Sequence, residues 1–241
     1  LAACSQQAPI ATLDSQASQW KFLGNKLNTT SAGDPSLALR ANDRPVVAFY
    51  ELRGSNNTPY VVVKEWTGSA WTALGNVGQI ISSQYNIATR AKNAPGAPYY
   101  DPIALTYAKN GGATSGDTYV KLRIGNAWLE LPGPLDVKPA NNTNNPSVVL
   151  DKLGFPIVAW FEFDPTTGYT IYTKRWLGTK WVQLGGALTP DTFPRAGLDL
   201  SIDNAGNPVL AFSAYDPVST VFKVYVKRWN GFNWVQQGGV L

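Results

Sequence analysis

The sequence contains no histidine and a single cysteine, Cys4, among its 241 residues. Without histidine it cannot form a Ser-His-Asp relay or a metal or haem site with histidine ligands. With one cysteine it cannot form an intrachain disulfide. No glycine-rich loop follows a strand and opens a helix, as a phosphate-binding loop requires. From these absences we predict no catalytic residue, no metal site and no cofactor.

Other kinds of segment are also missing. No apolar run approaches the length of about 20 residues that spans a bilayer, and no long stretch has helical periodicity. The formal net charge is +4, but lysine and arginine are scattered, so we expect no nucleic-acid partner. The remaining composition is 44% hydrophobic and includes 22 glycines and 17 prolines. This composition, rich in strand and turn formers, predicts an all-β protein.

A hairpin motif occurs four times and determines the predicted architecture. Its copies start at Val61, Tyr119, Ile171 and Val224. Each copy alternates with a period of two, as a strand does, and then contains a glycine where a tight turn requires positive φ. The preferred turn position pairs Trp66 with Trp71, Trp176 with Trp181, and Trp229 with Trp234. A turn shifted towards Asn230 is the alternative, and it would break this correspondence.

The motif belongs to a longer repeat of about 50 residues. The tryptophans of its last strand, Trp20, Trp71, Trp128, Trp181 and Trp234, are separated by 51, 57, 53 and 53 residues. Four short strands in each repeat are typical of a β-propeller blade. The predicted first and second strands are Ser36–Leu39 and Pro45–Glu51, Asn86–Ala91 and Pro102–Ala108, Pro146–Asp151 and Pro156–Glu162, and Leu198–Asp203 and Pro208–Ala214.

We therefore predict an all-β fold: a β-propeller of four complete four-stranded blades with an extra N-terminal strand at Trp20. A five-bladed propeller is the alternative. The extra strand would cap a sheet edge, begin an incomplete fifth blade, or exchange between subunits.

The first four residues, Leu1-Ala2-Ala3-Cys4, resemble the lipobox of bacterial lipoproteins. The resemblance implies that Cys4 carries a lipid and holds the protein on a membrane outside the cytoplasm. Residues 1–19 would then form the lipoprotein N-terminus and a flexible tether, which runs from Ser5 to Gln19, and residues 20–241 would form the propeller domain.

Candidate contact residues come from the loops that differ most between repeats, because loops on a rigid propeller face commonly carry function. Their aromatic rings and carboxylates could stack on and hydrogen-bond a sugar or a protein: Tyr99, Tyr100, Asp101, Tyr169, Tyr215 and Asp216. By contrast, Asp151 and Asp203 are predicted to brace turns. Glu51 and Glu162 are interpreted as exposed strand ends rather than as part of a carboxylate ring.

The repeat, from Pro-Ser-Leu-Ala-Leu to Trp-Val-Gln-Leu-Gly-Gly, is similar to propeller repeats of secreted and surface bacterial proteins. This similarity covers nearly the whole chain from Trp20 and implies the propeller architecture. Together with the lipobox-like start and the missing catalytic residues, it leads us to predict a non-enzymatic, lipid-anchored subunit for protein–protein interaction or assembly in the cell envelope. The alternatives are a lectin-like propeller that binds carbohydrate and a divergent hydrolase. The expected partners are the membrane, through Cys4, and another envelope protein or a surface glycan.

Overall fold

The computed structural model describes residues 22–77, 80, 84–90, 101–110, 116–139, 141–166, 168–188, 194–216 and 218–239. Within these ranges the chain forms sixteen strands in four antiparallel sheets and no helix. Accordingly, no helix in the described part of the chain could cross a membrane. The predicted all-β fold is confirmed.

Each sheet is one blade, and its four strands are hydrogen-bonded in chain order. Blade 1 contains β1 (Ala32–Leu39), β2 (Pro45–Arg53), β3 (Thr58–Trp66) and β4 (Trp71–Ala73). Blade 2 contains β5 (Tyr85–Thr89), β6 (Ile103–Asn110), β7 (Gly116–Ile124) and β8 (Ala127–Glu130). Blade 3 contains β9 (Asn142–Leu150), β10 (Pro156–Asp164), β11 (Gly168–Trp176) and β12 (Trp181–Gln183). Blade 4 contains β13 (Pro194–Ile202), β14 (Pro208–Asp216), β15 (Val221–Trp229) and β16 (Trp234–Gln236).

The predicted tryptophan pairs form in blades 1, 3 and 4. Trp66 faces Trp71, Trp176 faces Trp181, and Trp229 faces Trp234. Their ring centroids lie 5.6, 5.3 and 5.7 Å apart. Such tilted aromatic pairs stabilise a hairpin by about 0.5–1.5 kcal/mol beyond burial of area. Blade 2 has a shorter hairpin turn, so its tryptophan, Trp128, faces Arg123 instead.

The turn between the first and second strands is also as predicted. In blade 3, the Asp151 carboxylate accepts hydrogen bonds from the backbone N–H groups of Leu153 and Phe155. Gly154, with φ 84°, supplies the left-handed position. In blade 4, Asp203 accepts from the backbone N–H of Asn207 in the same way. These aspartates therefore stabilise turns.

Several strands extend beyond the predicted bounds. β1 begins at Ala32 rather than Ser36, because an irregularity between Gly33 and Ser36 lets the pairing with β2 continue. β9 and β13 begin early in the same way. A bulge adds a residue to one strand without stopping the ladder. The alternation pattern changes phase there, which is why the prediction stopped at the bulge.

Consecutive blades pack through three apolar clusters. The first joins blades 1 and 2, the second blades 2 and 3, and the third blades 3 and 4. The inner strands β1, β5, β9 and β13 pack in that order and line a central cavity of about 290 Å³. Among the described residues no comparable packing joins β13 back to β1.

The four blades, as far as the structure describes them, therefore form an open arc. At its first end, Leu37 of β1 is 64% exposed, whereas Val148 and Leu200, at the same position in blades 3 and 4, are 2% and 5% exposed. At its other end, Val224 of β15 is 42% exposed, whereas its counterpart Ile171 in blade 3 is fully buried. Blade 4 contains its own outer strand, as predicted. Trp20 lies outside the described residues.

Candidate functional site

Few polar side chains line the central cavity. Its walls are mainly aliphatic side chains of the four inner strands. Asn86, one of its few polar residues, joins neighbouring blades: its amide accepts from the backbone N–H of Val148 at 3.0 Å and donates to the hydroxyl of Ser36 at 3.3 Å. Asn86 is therefore used for structure.

A second cavity, of about 440 Å³, lies on the outer part of blade 1. Arg53 and Tyr60 line it together with Asn76 and several aliphatic residues. The Arg53 guanidinium carbon lies 5.3 Å from the centre of the Tyr60 ring. Its Nη2 donates to Oε2 of Glu51 at 3.0 Å. The cavity thus combines an aromatic ring, a guanidinium paired with a carboxylate, and an amide. We call Glu51, Arg53, Tyr60 and Asn76 the blade 1 site.

Strand register brings these side chains together. Glu51 and Arg53 are two residues apart on β2 and share a face, and Tyr60 of β3 lies directly opposite Glu51. Asn76 comes from the segment after β4, which turns at Gly75 with φ 82°. The prediction noted Glu51 alone, because the two strands meet only after the hairpin closes.

Glu162 holds the position of Glu51 in blade 3, but its environment is different. It is fully buried, and its carboxylate accepts from the backbone N–H groups of Val137 and Lys138, both at 2.8 Å. The amide of Asn141 and the indole of Trp160 also donate to it. Interpreting Glu162 as an exposed strand end was therefore wrong. The segment between blades 2 and 3 folds over it, and this long-range contact is absent from the strand pattern.

Three of the predicted contact residues precede β6. Tyr99 and Tyr100 lie outside the described residues. Asp101 accepts from the Arg40 guanidinium at 2.8 Å through Oδ2, and its backbone carbonyl accepts a second bond from Arg40 at 2.8 Å. Oδ1 of Asp101 is buried and has no partner among the described residues. Asp101 thus joins blade 2 to blade 1.

The other three predicted residues lie at the opposite end of their blades from Asp101. Tyr169 packs against Phe161 and Phe163, and Tyr215 against Phe222. Asp216 accepts from Lys223 and Ser219, and the Lys223 hydrogen bond holds the pKa of Asp216 well below its ordinary value. The structure therefore does not bring the predicted set into one site. Whether any of these residues contacts a ligand stays a prediction.

The sequence analysis did not predict an ion pair that is repeated between blades. The residue after the first strand pairs with a residue near the end of the third strand in three blades: Arg40 with Glu65, Asp151 with Arg175, and Asp203 with Arg228. Blade 1 has the charges reversed. In blade 2 the corresponding residue is Arg90, which is 6% exposed and whose Nε and Nη1 have no partner among the described residues. An alignment of the repeats that compared charged positions would have revealed the ion pair and its reversed charges in blade 1.

Asp117 of β7 and Asp136, in the segment that leads to blade 3, have raised pKa values. Burial raises the pKa of Asp117. Burial, followed by the negative charge of Asp117, raises the pKa of Asp136. Oδ1 of Asp136 is buried without a partner among the described residues. Raised carboxyl pKa values are a property of general acids as well as of poorly solvated structural acids.

The raised pKa of Asp136 has a consequence for stability. A carboxyl group with a raised pKa favours the folded state while it is protonated, and that stabilisation is lost as pH rises through its folded pKa. Asp136→Asn should therefore raise the melting temperature at pH 7 and leave it nearly unchanged at acidic pH. Asp216→Asn is the control of opposite sign, since it removes a carboxylate with a lowered pKa. Thermal melts across pH measure both, and equal shifts of the two variants at pH 7 would contradict the assignment.

Comparison with known proteins defines the fold. No protein-family model and no curated protein matches the chain. A lectin of Aleuria aurantia in complex with Fucalpha1-6GlcNAc is similar in structure, with a TM-score of 0.58 and 14% identity over 86% of this chain and 63% of the lectin chain. An unknown function protein from Dyadobacter fermentans gives a TM-score of 0.54 at 13% identity, covering 86% of this chain and 69% of that one.

An alpha-L-arabinofuranosidase from Fusarium graminearum also gives a TM-score of 0.54, at 10% identity, covering 84% of this chain and 65% of the enzyme. The chain thus spans less than two thirds of the lectin and of the arabinofuranosidase. The similarity establishes that this chain has a β-propeller fold. Its structural neighbours include both lectins and glycosidases.

Proposed function

We propose that this propeller is a carbohydrate-binding protein and that the blade 1 site holds the sugar. The observation that carries the proposal is the cavity in which Tyr60, Arg53 and Asn76 converge. Ligand sites are concave and largely apolar, with a few polar groups that orient the ligand. The lectin among the structural neighbours supports the same class of ligand.

The four side chains suit a neutral or weakly acidic sugar. The Tyr60 ring offers a flat apolar surface for the C–H groups of a pyranose face. Arg53 supplies planar donors, Glu51 supplies acceptors, and Asn76 has one group of each kind. Because Glu51 already pairs with Arg53 at 3.0 Å, the guanidinium is held in place before a ligand binds.

The blade 1 site is not repeated around the arc. Glu51 corresponds to the buried Glu162 in blade 3 and to Ala214 in blade 4, and Tyr60 corresponds to Thr170 and Lys223. A lectin with one site per blade would keep the set in every repeat. We therefore propose one sugar site, in blade 1.

The test is binding of the purified chain to an array of glycans, followed by calorimetry with the strongest sugar. Arg53→Ala and Tyr60→Ala should each weaken binding at least about tenfold, which corresponds to about 1.4 kcal/mol. Arg44→Ala, an exposed arginine of the same blade outside the cavity, is the matched control and should bind like the wild type. Equal affinity of all three variants would rule out the blade 1 site, and no binding to any glycan would rule out the function.

A second candidate function is glycoside hydrolysis, supported by the arabinofuranosidase among the structural neighbours, and Asp117 and Asp136, whose pKa values are raised, are its candidate carboxyl groups. Glycosidases use two carboxyl groups, one protonated and one ionised. If this pair is catalytic, the protein should release sugar from aryl glycosides or polysaccharides, and Asp117→Asn and Asp136→Asn should each abolish release. Binding without release in a broad substrate panel would leave the carbohydrate-binding function and exclude this one.

We also propose that the protein acts outside the cytoplasm, anchored by a lipid on Cys4. The Leu1-Ala2-Ala3-Cys4 motif supports this proposal. An envelope protein is the alternative partner to a glycan. Mass spectrometry of the protein from native membranes should show acyl chains on Cys4, and an unmodified thiol there would disprove the anchor.

A further inference from the structure

The contact between consecutive blades follows a repeated pattern. The indole N–H of the outer-strand tryptophan donates to a backbone carbonyl at the end of the preceding blade. Trp128 donates to Leu74 at 2.7 Å, Trp181 to Pro132 at 2.7 Å, and Trp234 to Leu184 at 2.9 Å. We call the segment that follows each outer strand, and that contains the accepting carbonyl, a blade end. Every junction within the arc therefore has a tryptophan donor and a blade end.

Residues 22–27 repeat this contact in front of blade 1, where the described chain has no preceding blade. We call them the N-terminal segment. Its Leu23 carbonyl accepts from the Trp71 indole at 2.7 Å, and its Leu27 carbonyl accepts from the Lys64 ammonium group. At the junction of blades 2 and 3, the Leu135 carbonyl accepts from Lys174 at 2.6 Å in the same manner. The N-terminal segment thus occupies the place of a blade end.

The glycines at these places confirm the equivalence. Gly24, with φ 67°, lies so close to the Trp66 ring that an added Cβ would be 2.6 Å from it. Gly185, at the end of blade 3, lies in the same way against Trp229 and Trp234. Gly238, at the end of blade 4, also has φ 67°, but nothing lies within 4 Å of the position of its Cβ. In the described chain, the end of blade 4 is therefore not covered by a tryptophan of a following blade, as the ends of the other blades are.

The two ends of the arc are complementary because they correspond to the two faces that meet between blades 3 and 4. The exposed face of β14 and β15 corresponds to the buried face of blade 3 that packs against blade 4, with Val224 in place of Ile171. The exposed Leu37 of blade 1 corresponds to Leu200, which receives that face. On the same face of blade 1, Val47 and Phe49 of β2 are only 7% and 4% exposed, so the opening lies at β1. The sequence also relates the N-terminal segment to the end of blade 4: Gly24 follows Trp20 at the same spacing at which Gly238 follows Trp234.

We propose that the face of blade 1 on which Leu37 is exposed is a docking site for blade 4 of a second copy of this chain, and that the N-terminal segment competes for its outer part. While the segment is bound, Trp71 is occupied and copies do not join. When it is released, the end of blade 4 of another copy takes its place. Such a head-to-tail contact is heterologous, so it forms a ring if its geometry closes and a chain of copies if it does not.

Two glycine variants test the proposal in the full chain. Gly24→Ala places a methyl group against Trp66 and releases the segment, so light scattering after size-exclusion chromatography should show the mass rising from monomer to dimer or larger species as concentration increases. Gly238→Ala, with the same φ and open space, should stay monomeric. The double variant should return to monomer, because the new methyl group would meet the tryptophans of the next copy.

A crosslink identifies the surfaces, whatever the stability of the variants. In a Cys4→Ala, Gly24→Ala background, Leu37→Cys and Val224→Cys are made in separate chains and mixed under mild oxidation. A mixed disulfide between the two chains should form, and adding Gly238→Ala should reduce it severalfold. A monomeric Gly24→Ala variant with a native circular dichroism spectrum, or crosslinks only between identical chains, would overturn the proposal.

Discussion

Replacing Glu162 with alanine is expected to lower the free energy of unfolding by about 2–6 kcal/mol. The carboxylate is fully buried and accepts from two backbone N–H groups, those of Val137 and Lys138. Each buried donor left without an acceptor costs about 1–3 kcal/mol, and these two donors cannot reach water while the blades stay packed. The segment that joins blades 2 and 3 would also lose its main polar anchor.

Glu51→Ala is the matched control for Glu162→Ala. Glu51 occupies the same register position in blade 1, but its partner Arg53 is half-exposed, and such pairs contribute about 0–1 kcal/mol. Urea unfolding followed by tryptophan fluorescence measures both variants. Glu162→Gln should fall between them, since one of its two former acceptors becomes a donor that faces N–H groups. Equal midpoints for Glu162→Ala and Glu51→Ala would show that burial of Glu162 contributes nothing.

The second large effect is expected in blade 4, where one face is covered and the other is not. Phe212 is 2% exposed, stacks on Tyr225 with ring centroids 5.4 Å apart, and belongs to the cluster between blades 3 and 4. Truncating a buried phenylalanine to alanine costs about 3–5 kcal/mol, because the cavity left behind collapses only in part.

Phe222→Ala, on the neighbouring strand, should cost only about 1 kcal/mol, since Phe222 is 52% exposed and gains only part of the transfer free energy of a buried ring. Thermal and urea unfolding of both variants compare the two faces of the blade directly. A loss for Phe222→Ala as large as for Phe212→Ala would mean that the outer face is covered in solution.

Much of the arc follows from local pattern. The facing indoles of Trp176 and Trp181 were predictable because a hairpin is a local structure, whose register is determined by the length of its turn. The brace at Asp151 was predictable for the same reason, since its hydrogen bonds span four residues. The environment of Glu162 was not, because the segment that buries it lies more than twenty residues earlier in the chain.

The blade 1 site likewise depends in part on contacts that the sequence does not predict. Glu51 and Tyr60 are neighbours through strand pairing, which the sequence indicates, but the cavity beside them depends on where the segment after β4 runs. The candidates Tyr169 and Tyr215 were chosen as variable loop residues, and the structure places both against rings of their own blades. A loop aromatic and a packed aromatic have the same sequence signature, because only neighbouring elements decide which surface covers the ring.

By itself, the sequence determined the repeat, the four-stranded blade and the turn chemistry, since these depend on alternation and on residues a few positions apart. Only the tertiary structure decided that the described blades form an open arc and that residues 22–27 take the place of a blade end. It also decided that Glu162 is buried, whereas Glu51 pairs with Arg53, which lines a cavity. Each of these depends on contacts between blades. Identical strands become buried or exposed according to whether another blade lies beside them, and burial is what separates a structural residue from a binding one.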